Sequence, residues 1–299
     1  MNAGERDRAP VAATATCGVC PRHCRLAPGA LGACRARRNR DGRIAPEGYG
    51  RLASIALDPI EKKPLARFMP GTYVVSVGGY GCNLRCPFCQ NWEISQAGEK
   101  DVRWREVSPE ELVALALDAR ERDGRVSGIA YTYNEPLVTW EYVRDCARLA
   151  HGAGLVNVLV SNGCVEPAVI DGLEGLLDAA NIDLKGFSDA FYDACGGAPG
   201  SLACVRGTIE RLAADPRCHL EVTTLVVPGM NDGEEEMDEL AGWLAGLDGG
   251  RGRKTIAHHV TRFFPRWRLM DRPPTPVEDV RGLAEVSRRH LDHVYVGNC

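Results

Sequence analysis

The sequence predicts an α/β fold, a partial or open TIM-type (β/α)6 barrel of parallel strands, with a small cysteine-rich segment ahead of it. Three observations carry that expectation. From Tyr73 onward short apolar stretches alternate with longer amphipathic ones, the pattern of repeated β-α units rather than of hairpins. Polar and glycine-rich motifs fall at the C-terminal ends of the apolar stretches, where a barrel gathers its reactive groups. Of 13 cysteines, seven fall in two tight clusters, which points to metal ligation rather than to a disulfide framework.

The first cluster is Cys17, Cys20, Cys24 and Cys34, in CGVCPRHCRLAPGALGAC. Four thiolates separated by proline and glycine turns can wrap a metal and replace a core that so short a segment cannot build. Zinc in a tetrahedral four-cysteine site is the default occupant, and an auxiliary iron-sulfur cluster is the alternative. His23 lies inside the loop as a substitute ligand or a solvent-facing side chain. The division expected is a flexible N-terminus over 1–16, a metal-binding knuckle over 17–45, a connector over 46–72 and the barrel over 73–299. Residues 35–72 are rich in Arg, Gly and Pro, and Pro59, Pro64 and Pro70 interrupt any long element, leaving room for one short strand pair. Glu61 to Leu65 is expected to cover the barrel's edge.

Strands are expected over 73–77, 128–133, 156–161, 180–184, 219–227, 255–260 and 293–296. Between them lie helices over 109–122, with Ser108 as N-cap, and over 139–151, 166–177, 202–214, 234–247 and 277–291. The motifs at the strand ends are the cysteine loop after the first, Tyr131 to Pro136 after the second, Ser161-Asn162-Gly163 after the third, and Asp183-Leu184-Lys185 at the fourth. Pro228 to Asp232 follows the fifth, and His258 and His259 end the sixth.

The second cluster is Cys82-x3-Cys86-x2-Cys89, following a valine-rich run and Gly78, Gly79 and Gly81. Iron-sulfur clusters usually take four thiolates, so a three-cysteine loop leaves one iron open to a small molecule. Zinc or buried thiols are the bland alternatives. With Phe88 before the last cysteine, the string CNLRCPFCQNWEISQ resembles the radical S-adenosylmethionine (SAM) superfamily. Within it the string resembles the AmmeMemoRadiSam-system enzymes, which are similar to pyruvate formate-lyase activating enzymes.

That resemblance implies a 4Fe-4S cluster and S-adenosylmethionine, which it cleaves to a 5′-deoxyadenosyl radical that abstracts hydrogen from a substrate. It implies an electron donor such as flavodoxin or ferredoxin, and companion proteins of the AmmeMemoRadiSam system. Catalysis rests on Cys82, Cys86 and Cys89. Tyr133, Asn134 and Glu135 occupy the place where relatives carry a glycine-rich segment ending in Glu-Pro, whose carbonyls hold the cofactor's amino group. Ser161 and Asn162 match residues that reach its ribose or carboxylate. Asp183 and Lys185 match an Asp-Leu-Lys segment, with a structural ion pair as the alternative to a cofactor role. His259 matches the family histidine, with a buried hydrogen-bonded histidine as the alternative. Similar proteins continue past Cys299 into a further cysteine-bearing tail, which leaves open whether this chain is truncated. Cys146, Cys164, Cys195, Cys204 and Cys218 lack ligand spacing and read as small core residues.

Apolar residues at 44% and charged residues at 25% are those of a globular chain,. A net charge of −4 gives no global footprint for nucleic acid,. Arg35, Arg37, Arg38, Arg40 and Arg43 are the local exception, either a solvated face or a docking surface for an acidic partner. No stretch approaches the length of a membrane span or a secretory apolar region, so the expected location is cytoplasmic. The competing class is a non-catalytic iron-sulfur or zinc protein for electron transfer or assembly, which requires a fourth ligand on the Cys82 cluster.

Overall fold

The computed structural model describes residues 13–247 and 256–299. Most of the segment expected to be a flexible N-terminus, and Thr255 of the sixth expected strand, lie outside the described residues. An eight-stranded sheet dominates. It consists of β1 (Ser54–Pro59), β2 (Tyr73–Gly78), β3 (Val126–Tyr131), β4 (Val156–Ser161), β5 (Ala179–Asp183), β6 (His219–Val226), β7 (Ala257–Arg262) and β8 (Val294–Gly297). The strands lie side by side in chain order, and only β1 is antiparallel, to β2. Among the described residues β1 and β8 have one sheet neighbour each, so the barrel is open.

Alternation sorts the side chains. Val75, Ile129, Leu159, Ile182 and Val222 join the large core under the helices. Their neighbours Val74, Ala130, Val158 and Ala179 face inward and pack with Ile60 and Leu65. Both faces are therefore apolar, as parallel strands require. The covering helices include α1 (Pro109–Arg122), α2 (Trp140–Gly152), α3 (Ser201–Ala214), α4 (Glu234–Ala245) and α5 (Val277–Arg288). Helix α1 starts as its sequence dictates. Ser108 accepts from the Glu111 amide, Glu111 reaches back to the Ser108 amide, and Pro109 occupies the first turn,.

Three expectations need correction. The connector supplies β1, a full edge strand that the Arg- and Pro-rich composition hid. The helix expected over 166–177 is only Pro167–Asp171. An added Cβ at Gly172 would come within 2.6 Å of the Trp140 ring, and Gly175 has φ of +70°, so the chain turns where continuation was expected. The sixth parallel strand runs to Arg262 rather than Val260, which places His258 and His259 near its start instead of its end.

Residues 60–67 pass beneath the inner cluster and form a floor. Asp58 binds Lys62 at 2.8 Å and Lys63 at 2.7 Å. The Asn181 amide donates to the Pro64 carbonyl at 2.7 Å, and the Ala66 and Arg67 amides donate to the Glu221 carboxylate at 3.0 and 2.8 Å. Glu61 to Leu65 thus belongs to the floor, and its Lys63 and Leu65 are buried.

Candidate functional site

A cavity of about 280 Å3 opens at the C-terminal ends of the strands. Cys82, Cys86, Phe88 and Cys89 line it together with Tyr133, Asn134, Glu135, Ser161, Asn162, Asp183 and Lys185. Four strand-end motifs therefore meet in one space. His259 does not line it. Its Nε2 lies 2.5 Å from Glu221 and its ring stacks on Tyr295, so it anchors the floor.

Local geometry explains how the motifs meet. Gly81 has φ of +86°, and an added Cβ would stand 2.3 Å from the Cys34 carbonyl oxygen; only glycine permits that approach. The Gly81 carbonyl accepts from the Asn134 side-chain NH2 at 3.0 Å, and Asn134 Oδ1 accepts from the Gly79 N–H at 3.0 Å. Tyr133 adopts φ of +71°, a left-handed conformation that costs a non-glycine residue about 1–2 kcal/mol. Its hydroxyl donates to Asp58, and its ring covers the Lys63 ammonium at 4.6 Å. The same turn is held from above, where the Asn91 side chain donates to the Tyr133 carbonyl at 2.9 Å.

Glu135 joins two motifs. Its carboxylate accepts from Ser161 Oγ at 2.7 Å, the Asn162 amide at 2.8 Å and the Leu137 amide at 3.0 Å. Burial pushes its pKa up to about 7 against those donors,. Asn162 in turn donates to Asn83 Oδ1 at 2.9 Å and reaches Cys82 Sγ at 3.5 Å.

Asp183 and Lys185 form an ion pair at 2.9 Å in the cavity wall. Burial opposes the Lys185 charge, but Asp183 and Cys86 hold its pKa well above the ordinary lysine value. Burial raises the Cys82 and Cys89 thiols. Cys86 is lowered instead, first by a hydrogen bond from Cys195 and then by Lys185. Cys195 is wholly buried and is not part of the cavity lining.

The chain presents three thiols, an ammonium and several amide and hydroxyl groups to one partly apolar space. Among the described residues no three His, Cys, Asp or Glu side chains are already gathered in the geometry of a bound ion. The donor chemistry nevertheless fits a thiolate-held iron-sulfur cluster beside a polar organic cofactor. Cys17, Cys20, Cys24 and Cys34 line a separate small cavity, and His23 lies outside it, half exposed, 3.2 Å from Glu166. The arginine run disperses: Arg37 pairs with Glu141, and Arg38 and Arg40 with Glu47.

Sequence reasoning missed Asn83 and Asn91, although both stand in the quoted cysteine string, and it missed Thr223, Thr261 and Asn298 in the cavity wall. Alternation along β6 and β7 was the available signal for the two threonines.

A model of the Radical SAM superfamily matches residues 76–241. The chain is 39% identical over 283 residues to an uncharacterized protein of Methanocaldococcus jannaschii, covering 94% of this chain and 80% of the relative. It is 24% identical over 191 residues to the pyruvate formate-lyase-activating enzyme of Staphylococcus epidermidis, covering 60% of this chain and 72% of that one. Among solved structures, a radical SAM methyltransferase from Sphaerobacter thermophilus superposes with a TM-score of 0.56 at 19% identity, over 76% of this chain and 66% of that one. That last likeness concerns the fold.

Proposed function

The chain belongs to the Radical SAM superfamily, and on that premise we propose that it reductively cleaves S-adenosylmethionine and directs the resulting radical at a C–H bond of a substrate held in the Cys82 cavity. The observation that carries this reading is the meeting of all three loop cysteines with the Tyr133 to Glu135, Ser161-Asn162 and Asp183 to Lys185 motifs round one space. Cys82, Cys86 and Cys89 would hold a 4Fe-4S cluster. When bound, such a cluster supplies the electron that breaks the cofactor's bond from sulfur to the 5′ carbon.

The chain's own residues bind, orient and shield. The Lys185 ammonium offsets the charge of the neighbouring thiolates. Glu135 spends its carboxylate on Ser161, Asn162 and Leu137, so it positions the cofactor loop rather than contacting the cofactor. The Tyr133 to Glu135 turn would offer backbone carbonyls to the cofactor's amino group, and Ser161 and Asn162 would meet its ribose or carboxylate. Leu84, Phe88, Val160 and Leu225 exclude water from the wall between these groups,.

The reading admits a protein glycine, a peptide or a small molecule as substrate, with proteins of the AmmeMemoRadiSam system as companions. It also needs an outside electron donor of the flavodoxin or ferredoxin kind. A groove behind the cysteine loop suits an acidic one. Trp92 and Trp267 stack there at 8° and 6.4 Å, beside three arginines, Arg35, Arg85 and Arg268, that outnumber the two carboxylates, Glu93 and Asp101, in the same wall. None of these arginines has a carboxylate partner among the described residues, and aromatic and arginine side chains together mark docking surfaces.

Cys195 gives the second reading its foothold, since a fourth thiol against Cys86 is what a closed electron-transfer cluster requires. One experiment separates the two. The anaerobically reconstituted protein is reduced with dithionite in the presence of S-adenosylmethionine, and methionine and 5′-deoxyadenosine are quantified. Both products are expected from the native chain and from Cys195→Ala, and neither from Cys86→Ala. An intact cluster that yields neither product from the native chain would overturn the proposal.

A further inference from the structure

Resting on the functional reading above, we propose that the wall of the Cys82 cavity built by β5, β6 and β7 recognises the substrate, and that it selects a group bearing N–H donors, an ammonium or a primary amide. Asp183 on β5, Thr223 on β6 and Thr261 on β7 all line the cavity. Register sets Asp183 opposite Thr223, and Thr261 opposite Leu225 two residues further along the same face, so the three share one patch. The cysteine loop, the Tyr133 turn and Ser161-Asn162 follow β2, β3 and β4 instead, which leaves this patch to the substrate.

The protons of the patch are already committed. The Pro64 carbonyl, part of the floor, accepts from the Asn181 NH2 at 2.7 Å. A carbonyl only accepts, so the Asn181 amide has one orientation, with Oδ1 toward β6. Oδ1 takes the Thr223 hydroxyl proton at 2.9 Å. Thr261 gives its proton to the Thr224 carbonyl at 3.3 Å. Asp183 takes the Lys185 ammonium on Oδ2 at 2.9 Å, and its Oδ1 has no partner among the described residues. What these three side chains offer a ligand is therefore oxygen lone pairs without a hydrogen.

Burial turns that into selectivity. Thr223 and Thr261 are 8% and 7% exposed, and an acceptor brought against them would leave both groups unpaired away from water. Lys185 is a competing donor in the same wall, but its ammonium is spent on Asp183 and on the neighbouring Cys86. Asn298, at the rim, is exposed and can turn either end of its amide inward. Val160 and Leu225 complete the wall and suit methylenes. The floor motif at Glu61 to Leu65 thereby sets the polarity of the cavity, through Pro64, Asn181 and Thr223 in turn.

Isosteric probes test this in the oxidised, reconstituted protein saturated with S-adenosylmethionine, where no turnover intervenes. Propylamine, propionamide and propionate are titrated by saturation-transfer NMR on their methyl groups. At least one of the two N–H probes is expected to bind about 10-fold tighter than propionate, and which one it is tells an ammonium from a neutral amide. Thr223→Val, matched in size but without the oxygen, should weaken that probe by about 10-fold and leave propionate unchanged, whereas Thr223→Ser should keep it. The comparison in the native chain decides even if Thr223→Val does not fold. Propionate binding as tightly as both N–H probes, no measurable binding of any probe, or a folded Thr223→Val protein that binds the N–H probe like the native chain would overturn the acceptor wall. S-adenosylmethionine binding, measured first without a probe, separates the two failures: its absence counts against the cofactor reading, and its presence beside an unselective wall counts against the acceptor wall alone.

Discussion

Glu135 lines the cavity, yet its carboxylate is taken up by the fold itself. Its carboxylate satisfies three buried donors at once. Replacing it with alanine leaves the Ser161 hydroxyl and two amides unpaired, at about 1–3 kcal/mol each before relaxation. We expect Glu135→Ala to unfold at clearly lower denaturant. Glu135→Gln should stay folded yet weaken S-adenosylmethionine binding, because its NH2 group meets a donor where an acceptor is required; equilibrium binding to the reconstituted protein measures this. His258 makes a prediction in pH. Burial lowers its pKa to about 3, and the neutral ring lies between Ser287 Oγ at 2.9 Å and Thr224 Oγ1 at 3.0 Å. The unfolded chain takes up the proton near pH 6.5 and the folded chain only near 3, so stability is full above 6.5 and falls as pH drops toward 3. The full shift is worth roughly 5 kcal/mol. His258→Asn should flatten the stability profile between these two values, as read by urea unfolding at several pH values; an unchanged slope would refute the assignment.

Among elements, β1 and the floor behind it are the least expected part of the fold. The parallel strands were legible because their apolar runs are nearly continuous and their motifs sit at one end. β1 was not, because Ser54 to Pro59 reads as part of an arginine- and proline-rich connector, and its pairing with β2 leaves no local signature. His259 was misplaced for a related reason. Two residues of strand length, from Val260 to Arg262, decide whether it meets the cavity or Glu221, and strand ends are set by tertiary pairing rather than by local sequence. Tyr133 lines the cavity, but its conformation was hidden. The hydroxyl bond to Asp58 and the Lys63 contact offset the left-handed backbone. Tyr133→Phe keeps the ring and loses only the bond to a charged acceptor, so it should destabilise by about 1.5–3 kcal/mol in denaturant unfolding. A loss below a few tenths of a kcal/mol would show that the floor does not support the turn.

At the scale of the molecule, the chain is an open barrel whose floor is sealed by its own connector and whose mouth is walled on one side by the cysteine-rich knuckle. The loop between them has a front that faces the cavity and a back that faces the groove at Trp92 and Trp267. On the proposed function, that division would separate substrate entry from electron delivery. An Arg35→Glu, Arg268→Glu double variant should therefore lose most cofactor cleavage driven by an acidic flavodoxin while keeping that driven by dithionite. Equal loss with both reductants would place these arginines in folding rather than docking. The spacing of the three loop cysteines announced the cluster, but the sequence could not show that Asn83, Gly81 and Glu135 tie it to two other parts of the chain, since those ties join residues far apart. On the proposed function, the Cys82, Cys86 and Cys89 cluster keeps an iron open for S-adenosylmethionine. The most direct measurement is the hyperfine spectrum of the reduced cluster with S-adenosylmethionine carrying 17O in its carboxylate and 15N in its amino group. Both labels are expected to couple to the cluster, in the native chain and in Cys195→Ala alike; a reduced cluster whose spectrum is indifferent to the labelled cofactor would refute the open iron.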